Sequence, residues 1–217
     1  MFDMGFGTGF GAGAGDMAGD GLESMYQEVI LDAARNPHGK THFESTDALA
    51  QAELQEESQE FAENTKSAEI TLNNAHESCA VTSDENSALG QSHQFNPTCG
   101  DEVTMRVELS RSANNDETPI VSSIKWDGHG CSISQASLSM MVDLVEGKSV
   151  DEALRLDALF HKLMESRGAG FENEEDEDAL EDAMVLQGVS RYPMRIKCAL
   201  LAWEGLKDSI AKAMKEL

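Results

Sequence analysis

Apolar and polar positions alternate most clearly in the middle of the chain. Every second residue of one stretch is apolar, namely Val103, Met105, Val107 and Leu109. This period predicts a half-buried strand. A second strand of an antiparallel pair is predicted from Ile120 to Trp126, ending at Asp127-Gly128, because residues 111–118 are rich in the turn formers Ser, Asn and Asp.

The pattern changes to helical spacing after these strands. Residues 133–146 are predicted to form one helix that stops at Gly147. Ser149 and Glu152 have the spacing of a capping box, which predicts a second helix over 150–165. Pro193 is predicted to open a long helix. Its predicted buried stripe consists of Ile196, Leu200, Trp203, Leu206, Ile210 and Met214.

Another amphipathic helix is predicted near the start of the chain, from Leu22 to Arg35, and Pro37 is expected to end it. Its apolar face is expected to pack on the core and consists of Leu22, Met25, Tyr26, Val29, Ile30 and Ala33. Strands followed by helices, without a regular strand–helix alternation, indicate an α+β fold.

Two segments have the composition of chains that do not form a core. Residues 1–21 contain eight glycines and are predicted to be a flexible tail. Residues 44–93 contain eleven acidic residues against one lysine and are predicted to be an acidic, partly disordered insertion, with a surface helix over 49–62 and a short strand over 69–72. Residues 171–182, with eight acidic residues, are predicted to be a solvated loop leading into a short helix. We therefore expect a single domain over 22–217.

The net charge of −24 excludes some partners. A nucleic acid or an anionic membrane requires a basic protein surface, so neither is expected to bind. The charge itself is explained equally by solubility and by a basic partner surface. No apolar run approaches the length of a membrane span, and residues 1–15 lack the pattern of a signal peptide. The chain is therefore expected to be cytoplasmic, with reduced cysteines.

Three cysteines lie where the chain changes from one predicted element to the next. Cys99 is in a turn before the first strand, Cys131 directly precedes a helix, and Cys198 is in the first turns of the last helix. A helix N-terminus favours a thiolate over a thiol. With Asp101, the three thiolates would complete a tetrahedral zinc site. The separations of 32 and 67 residues match no local zinc motif, so spacing alone supports such a site only weakly and favours buried, unreactive cysteines. A fourth cysteine, Cys79, is expected to be a plain exposed thiol.

The sequence contexts of these cysteines carry more information than their spacing. The motifs NPTCGD, GCSIS and YPMRIKC, together with MYQEVILDAARNP, resemble the SufU branch of the SufU/IscU family of iron–sulfur cluster assembly proteins. The resemblance covers residues 22–40 and 94–215. It implies a small antiparallel sheet packed against several helices, and a metal site formed by Cys99, Asp101, Cys131 and Cys198. Lys197 stands where the IscU branch has a histidine ligand, which favours SufU.

The resemblance also implies a function. Proteins of the SufU branch are zinc-dependent and accept persulfide sulfur from a PLP-dependent cysteine desulfurase (SufS-like), on the cysteine that corresponds to Cys99, for delivery to downstream cluster-assembly scaffold proteins. One alternative is a scaffold on which a [2Fe–2S] or [4Fe–4S] cluster is built, because the same thiolates suit iron. Another is a regulatory protein in which zinc is structural.

Overall fold

The structure, a computed structural model, describes residues 17–43, 86–111 and 118–217, with side chains from residue 24 onward in these ranges. Several predictions fall on other parts of the chain. They concern the glycine-rich residues 1–16, most of the acidic insertion with its helix over 49–62 and strand over 69–72, and the thiol of Cys79.

Three strands and five helices make up the described part of the fold. In chain order they are α1 (Met17–Arg35), β1 (Ser87–Asn96), β2 (Asp101–Ser110), β3 (Ile120–His129), α2 (Ser132–Val145), α3 (Val150–Glu165), α4 (Glu174–Leu180) and α5 (Pro193–Glu216). A 3₁₀ segment (Glu181–Arg191) joins α4 to α5. This is the α+β fold that the sequence predicts.

The strands form one antiparallel sheet in the order β1-β2-β3. The predicted pairing of β2 with β3 is confirmed, and inward-facing residues of β2 such as Met105 and Val107 are fully buried. Strand β1 was not predicted. It begins at Ser87, so residues 87–93 belong to the sheet and not to the acidic insertion expected over 44–93. Cys99 therefore lies in a hairpin between two strands rather than before the first strand.

The residue pattern of β1 explains why it was missed. Its buried positions carry small or polar residues, namely Ala88, Gly90, Ser92 and Asn96. Its large apolar side chains, Leu89 and Phe95, are about half exposed, at 50% and 56%. The side chains of β1 do alternate with a period of two. However, the large apolar ones lie on the exposed face and the small or polar ones on the buried face, the reverse of what a half-buried strand is expected to show.

Helix α5 crosses the buried face of the sheet against β1 and β2, and Trp203, Leu206 and Ile210 on its inner side are buried. The indole of Trp203 stacks on Phe160 of α3 with ring centroids 4.6 Å apart. Met214, expected in the buried stripe, is 43% exposed. It lies in the last turn, beyond the buried Ala213. The bounds of α3 are as predicted, and the Ser149 hydroxyl accepts a hydrogen bond from the Glu152 backbone N–H (3.2 Å).

Helix α1 differs from the prediction in the residue at which it begins and in the residues that face the core. It begins at Met17, so residues 17–21, expected in the tail, are helical. Ile30, Ala33 and Ala34 are half-buried and pack against the core. Met25, Tyr26 and Val29, expected to be buried, are exposed by 63%, 39% and 40%. The helix packs on α2 and the 3₁₀ segment, so its core-facing side is narrower than its apolar pattern indicates.

A candidate metal centre at the end of the sheet

The hairpin between β1 and β2 positions Cys99. Asn96 and Asp101 form the last pair of the ladder, and residues 97–100 make the loop. The Asn96 side-chain oxygen accepts from the Thr98 backbone N–H (3.1 Å), and the Asn96 carbonyl accepts from the Gly100 N–H (2.9 Å). Gly100 has φ +76°, a conformation that favours glycine. The loop that results leaves Cys99 exposed at the tip of the sheet.

Asp101 links the hairpin to the start of helix α2. It is the first residue of β2 and is only 2% exposed. One carboxylate oxygen accepts from the Cys131 backbone N–H at 3.0 Å, and the other lies 3.5 Å from the Cys131 Sγ. Cys131 is the N-cap residue of α2, in extended conformation. The carboxylate therefore holds the helix start and its thiol against the end of the sheet.

Helix α5 supplies the third thiol. Cys198 lies in its second turn and is 4% exposed, facing the hairpin. Its Sγ is 3.1 Å from the Cys99 Sγ and 3.7 Å from the side-chain nitrogen of Asn96. One atom each from Cys99, Asp101 and Cys198 lies within 4.8 Å of the others, and in the described ranges this is the only such group of three metal-ligating side chains. The structure thus places all four residues predicted from the sequence at one end of the sheet.

Burial and hydrogen bonding shift two pKa values in opposite directions. Burial raises the pKa of Asp101, but hydrogen bonds from Cys99, the Cys131 N–H, Cys198 and Ser134 together outweigh it, so the net pKa is lowered. Burial, followed by hydrogen bonding to Cys99 and Asp101, raises the pKa of the Cys198 thiol. This shift in the pKa of Cys198 is opposite in direction to the one expected from its place near the start of a helix, and burial is its largest cause.

Three residues near the thiols were not identified from the sequence. Asn96 contacts the Cys198 thiol from the neighbouring strand. The Ser134 hydroxyl lies 2.9 Å from the Cys131 carbonyl and 3.7 Å from its Sγ. A Cβ at Gly130 would meet the Ser134 hydroxyl and lie 3.1 Å from the Asp101 carboxyl carbon. The only signal in the sequence was that these residues sit inside the cysteine motifs.

Two other polar residues are close to the cysteines in the sequence, namely His129 and Lys197. His129 is exposed at the end of β3, and Lys197 is exposed beside Cys198. His129 is not in the group formed by Cys99, Asp101 and Cys198, and Cys131 is joined to that group only by its contacts with Asp101. Adjacent residues of a helix point about 100° apart, so Lys197 does not share the side of α5 that carries Cys198.

The donor set fits a zinc ion. Tetrahedral zinc with thiolate and carboxylate ligands places neighbouring sulfur and oxygen ligands roughly 3.6 Å apart. The separation of the Asp101 oxygen and the Cys131 Sγ is 3.5 Å, whereas the Cys99 and Cys198 Sγ atoms, at 3.1 Å, are closer than two sulfurs on one zinc, which lie roughly 3.8 Å apart. Three sulfurs and one oxygen match a zinc site better than the all-oxygen sites of magnesium or calcium. The residues that would hold the ion are Cys99, Asp101, Cys131 and Cys198.

The chain is similar to known proteins in both sequence and fold. Residues 71–199 match the NifU-like N-terminal domain. The chain is 39% identical over 117 residues to the zinc-dependent sulfurtransferase SufU of Bacillus subtilis, covering 54% of this chain and 71% of that protein. It is 41% identical over 118 residues to the iron–sulfur cluster assembly scaffold protein IscU of Streptococcus pyogenes, covering 54% and 67%.

A solved structure shares the fold at low sequence identity. The N-terminal part of a NifU-like protein from Brucella abortus matches with a TM-score of 0.54 and 17% identity, over 90% of this chain and 99% of that one. Within the described residues, no helix is both long enough and apolar enough to cross a membrane.

Proposed function

Because this chain belongs to the family of NifU-like N-terminal domains, we propose that it is a zinc-dependent sulfurtransferase that accepts persulfide sulfur from a PLP-dependent cysteine desulfurase for iron–sulfur cluster assembly. The observation that carries the proposal is the convergence of two thiols and one carboxylate, with a third thiol against that carboxylate; one thiol is exposed at the tip of a hairpin and another is buried beside it. An acceptor must be reachable by a second protein, whereas an anchoring ligand need not be.

Cys99 is the proposed acceptor. Its thiolate attacks the outer sulfur of the persulfide on the donor enzyme. A new sulfur–sulfur bond forms on Cys99, the bond between the two donor sulfurs breaks, and the donor cysteine leaves as a thiolate with the electron pair. No external oxidant or reductant is needed, because the number of persulfides is unchanged. The sulfur then passes to downstream scaffold proteins.

The surroundings of the cysteines distinguish their roles. Cys198 is buried with its Sγ beside that of Cys99, so a partner could not reach it unless the hairpin or α5 moved. Cys131 is exposed, but its backbone N–H is bonded to Asp101 and its carbonyl to the Ser134 hydroxyl. The described contacts of Cys99 are limited to the thiol of Cys198 and the carboxylate of Asp101. Cys99 is thus the cysteine most able to move towards a donor.

Zinc, when bound, would supply a positive charge that keeps the cysteines deprotonated while no donor is present. The protein contributes the rest through its own groups. Asp101 orients the start of α2 by accepting a hydrogen bond from the Cys131 N–H. The Asn96 side-chain nitrogen donates to the Cys198 sulfur. These contacts hold the ligands in place while Cys99 exchanges partners.

The test measures cysteine-dependent sulfide release by the desulfurase in the presence of a reductant, with and without the zinc-loaded protein. A saturable stimulation is expected from the wild type and none from Cys99→Ser. Cys79→Ser is the matched control, because it makes the same chemical change at the one cysteine that is not among the four proposed ligands. Normal transfer by Cys99→Ser would contradict the assignment of the acceptor.

A scaffold for a [2Fe–2S] or [4Fe–4S] cluster is the second candidate. It is favoured by the 41% identity to a protein named as an IscU scaffold and by thiolates that suit iron as well as zinc. In that role the cluster is cargo and is handed on. The measurement that separates the two is anaerobic reconstitution with iron and sulfide, followed by transfer to an apo-ferredoxin. A protein that stimulates the desulfurase but forms no transferable cluster is a sulfur carrier only.

A further inference from the structure

The first turns of α5 present an exposed surface directly beside the thiols. We define the α5 ridge as Tyr192, Met194, Arg195 and Lys197, all of which are exposed. The Cys198 Sγ lies 3.9 Å from the Met194 carbonyl oxygen and 3.1 Å from the Cys99 Sγ. Met194 and Cys198 are four residues apart and so lie on the same side of the helix. The ridge thus continues the surface that carries the proposed acceptor.

The ridge is unusual for this protein in both charge and exposure. Residues 191–197 contain three basic residues and no acidic ones, in a chain with 40 acidic and 16 basic residues. Among the described residues, neither Arg195 nor Lys197 has an ion-pair partner, and the Arg195 guanidinium stacks on the Tyr192 ring at 4.7 Å. Tyr192 and Met194 are exposed by 50% and 59%. Aromatic, Met and Arg side chains are the types enriched at protein interfaces.

From these observations we infer that the α5 ridge is the docking surface for the sulfur donor, and that the donor face it contacts is acidic around an apolar recess that receives Met194. This rests on the proposed function. Sulfur transfer brings the donor sulfur into contact with Cys99, so residues that flank Cys99 on the surface must be covered by the donor at that moment. A basic ridge on a strongly acidic protein attracts an acidic partner locally, while the remaining surface repels it, which fixes the orientation of docking.

Helix α5 supplies matched controls at its other end. Met214 is exposed by 43%, and Lys215 is also exposed. They lie roughly 30 Å and 27 Å along the helix from Met194 and Lys197, at 1.5 Å per residue. Met194→Ala is therefore compared with Met214→Ala, and Lys197→Glu with Lys215→Glu. Each pair makes the same chemical change on the same helix, close to the thiols or far from them. Arg195→Glu is a second charge reversal, three residues before Cys198 on the same helix.

The experiment titrates each zinc-loaded variant into the desulfurase and fits the half-saturating concentration and the maximal rate of sulfide release. Met194→Ala is expected to raise the half-saturating concentration about tenfold, as for a central interface residue. Lys197→Glu and Arg195→Glu are expected to raise it by a similar factor in 50 mM salt and by less in 500 mM salt. Zinc content and maximal rate are expected to stay at the wild-type values, and the Met214 and Lys215 variants to change the half-saturating concentration less than twofold.

The outcomes separate this inference from the proposed function. If the wild type stimulates the desulfurase and the ridge variants titrate like it, the ridge is not the docking surface, although sulfur transfer stands. A lower half-saturating concentration for the ridge variants also overturns the inference. It would mean that the wild-type ridge hinders docking, as it would if acidic residues of this chain covered it. If the wild type gives no stimulation, the proposed function itself fails.

Discussion

Gly90 is the position where strand β1 and helix α5 come into direct backbone contact. A Cβ on Gly90 would meet the Ser209 carbonyl and lie 2.7 Å from the Ala213 nitrogen. Ordinary contacts of a Cβ begin at about 3.4 Å. Both neighbours are main-chain atoms of a helix, so neither can rotate away as a side chain would. Gly90→Ala therefore forces the strand and the helix apart.

The size of the effect follows from two opposing terms. Overpacking a core costs about 1–3 kcal/mol, and we place Gly90→Ala at the upper end, because the clash is between two backbones. The alanine also restricts the unfolded chain, which stabilises the folded state by about 0.4–1 kcal/mol. The expected net loss in the free energy of unfolding is about 2 kcal/mol. Gly188→Ala, where no atom lies within 4 Å of the added Cβ, is expected to be neutral or slightly stabilising.

The assay is urea unfolding of both metal-free variants, followed by the fluorescence of the buried Trp126 and Trp203. Because β1 leads into the hairpin of Cys99 and α5 carries Cys198, Gly90→Ala should also weaken zinc binding at urea concentrations where the protein is still folded. Equal stability of Gly90→Ala and the wild type would refute the close packing of α5 on β1 from which the effect was worked out.

Three further changes test other parts of the structure. Asn96→Ala removes a donor to the Cys198 sulfur and the acceptor of the Thr98 N–H. We expect the free energy of unfolding in urea to fall by about 1–2 kcal/mol and zinc to be released faster to a chelator. An unchanged rate of zinc release would show that Asn96 does not hold the site. Ser149→Ala removes the cap of α3 and is expected to cost about 1 kcal/mol in the same assay, whereas no loss would mean that the Glu152 N–H is equally well solvated. Burial raises the pKa of Asp157, against the smaller lowering effects of His161 and Lys207, so this carboxyl binds its proton more tightly in the folded state. Its contribution to stability is thus present below the unfolded-state pKa and is lost as pH rises through the folded-state pKa. The stability of Asp157→Asn relative to the wild type should therefore increase as the pH is raised from 4 to 7. A difference in stability that does not change with pH would contradict a raised pKa of Asp157.

Much of the fold could be predicted because its signals are local. The strands β2 and β3 and the helices α2, α3 and α5 each carry a hydrophobic period or a cap within their own residues. Ser149 and Pro193 mark the starts of two helices correctly. Strand β1 could not be found in this way. Its inward positions are small or polar because α5 lies against them, and Gly90 owes its identity to a helix more than 100 residues away in the chain.

The candidate site was predictable for a different reason. Periodicity and spacing left open whether the cysteines were ligands or buried hydrophobes, and only the sequence motifs around them, through the family resemblance, grouped Cys99, Asp101, Cys131 and Cys198. The motifs did not indicate the part played by neighbouring residues that are not ligands. Asn96, Ser134 and Gly130 act through hydrogen bonds and close approach, and these depend on how the hairpin, α2 and α5 meet.

The four proposed ligands divide into two that belong to the core and two that belong to the surface. Asp101 and Cys198 are 2% and 4% exposed, so their positions follow from the packing of β2 and α5, whereas Cys99 and Cys131 are exposed. Changes that loosen the core, such as Gly90→Ala, should therefore lower metal affinity and stability together. Changes at Cys99 or on the α5 ridge should alter transfer or docking and leave the stability of the metal-free protein unchanged. Such a division is what a sulfur carrier requires, since one ligand must move while the remaining site keeps its shape.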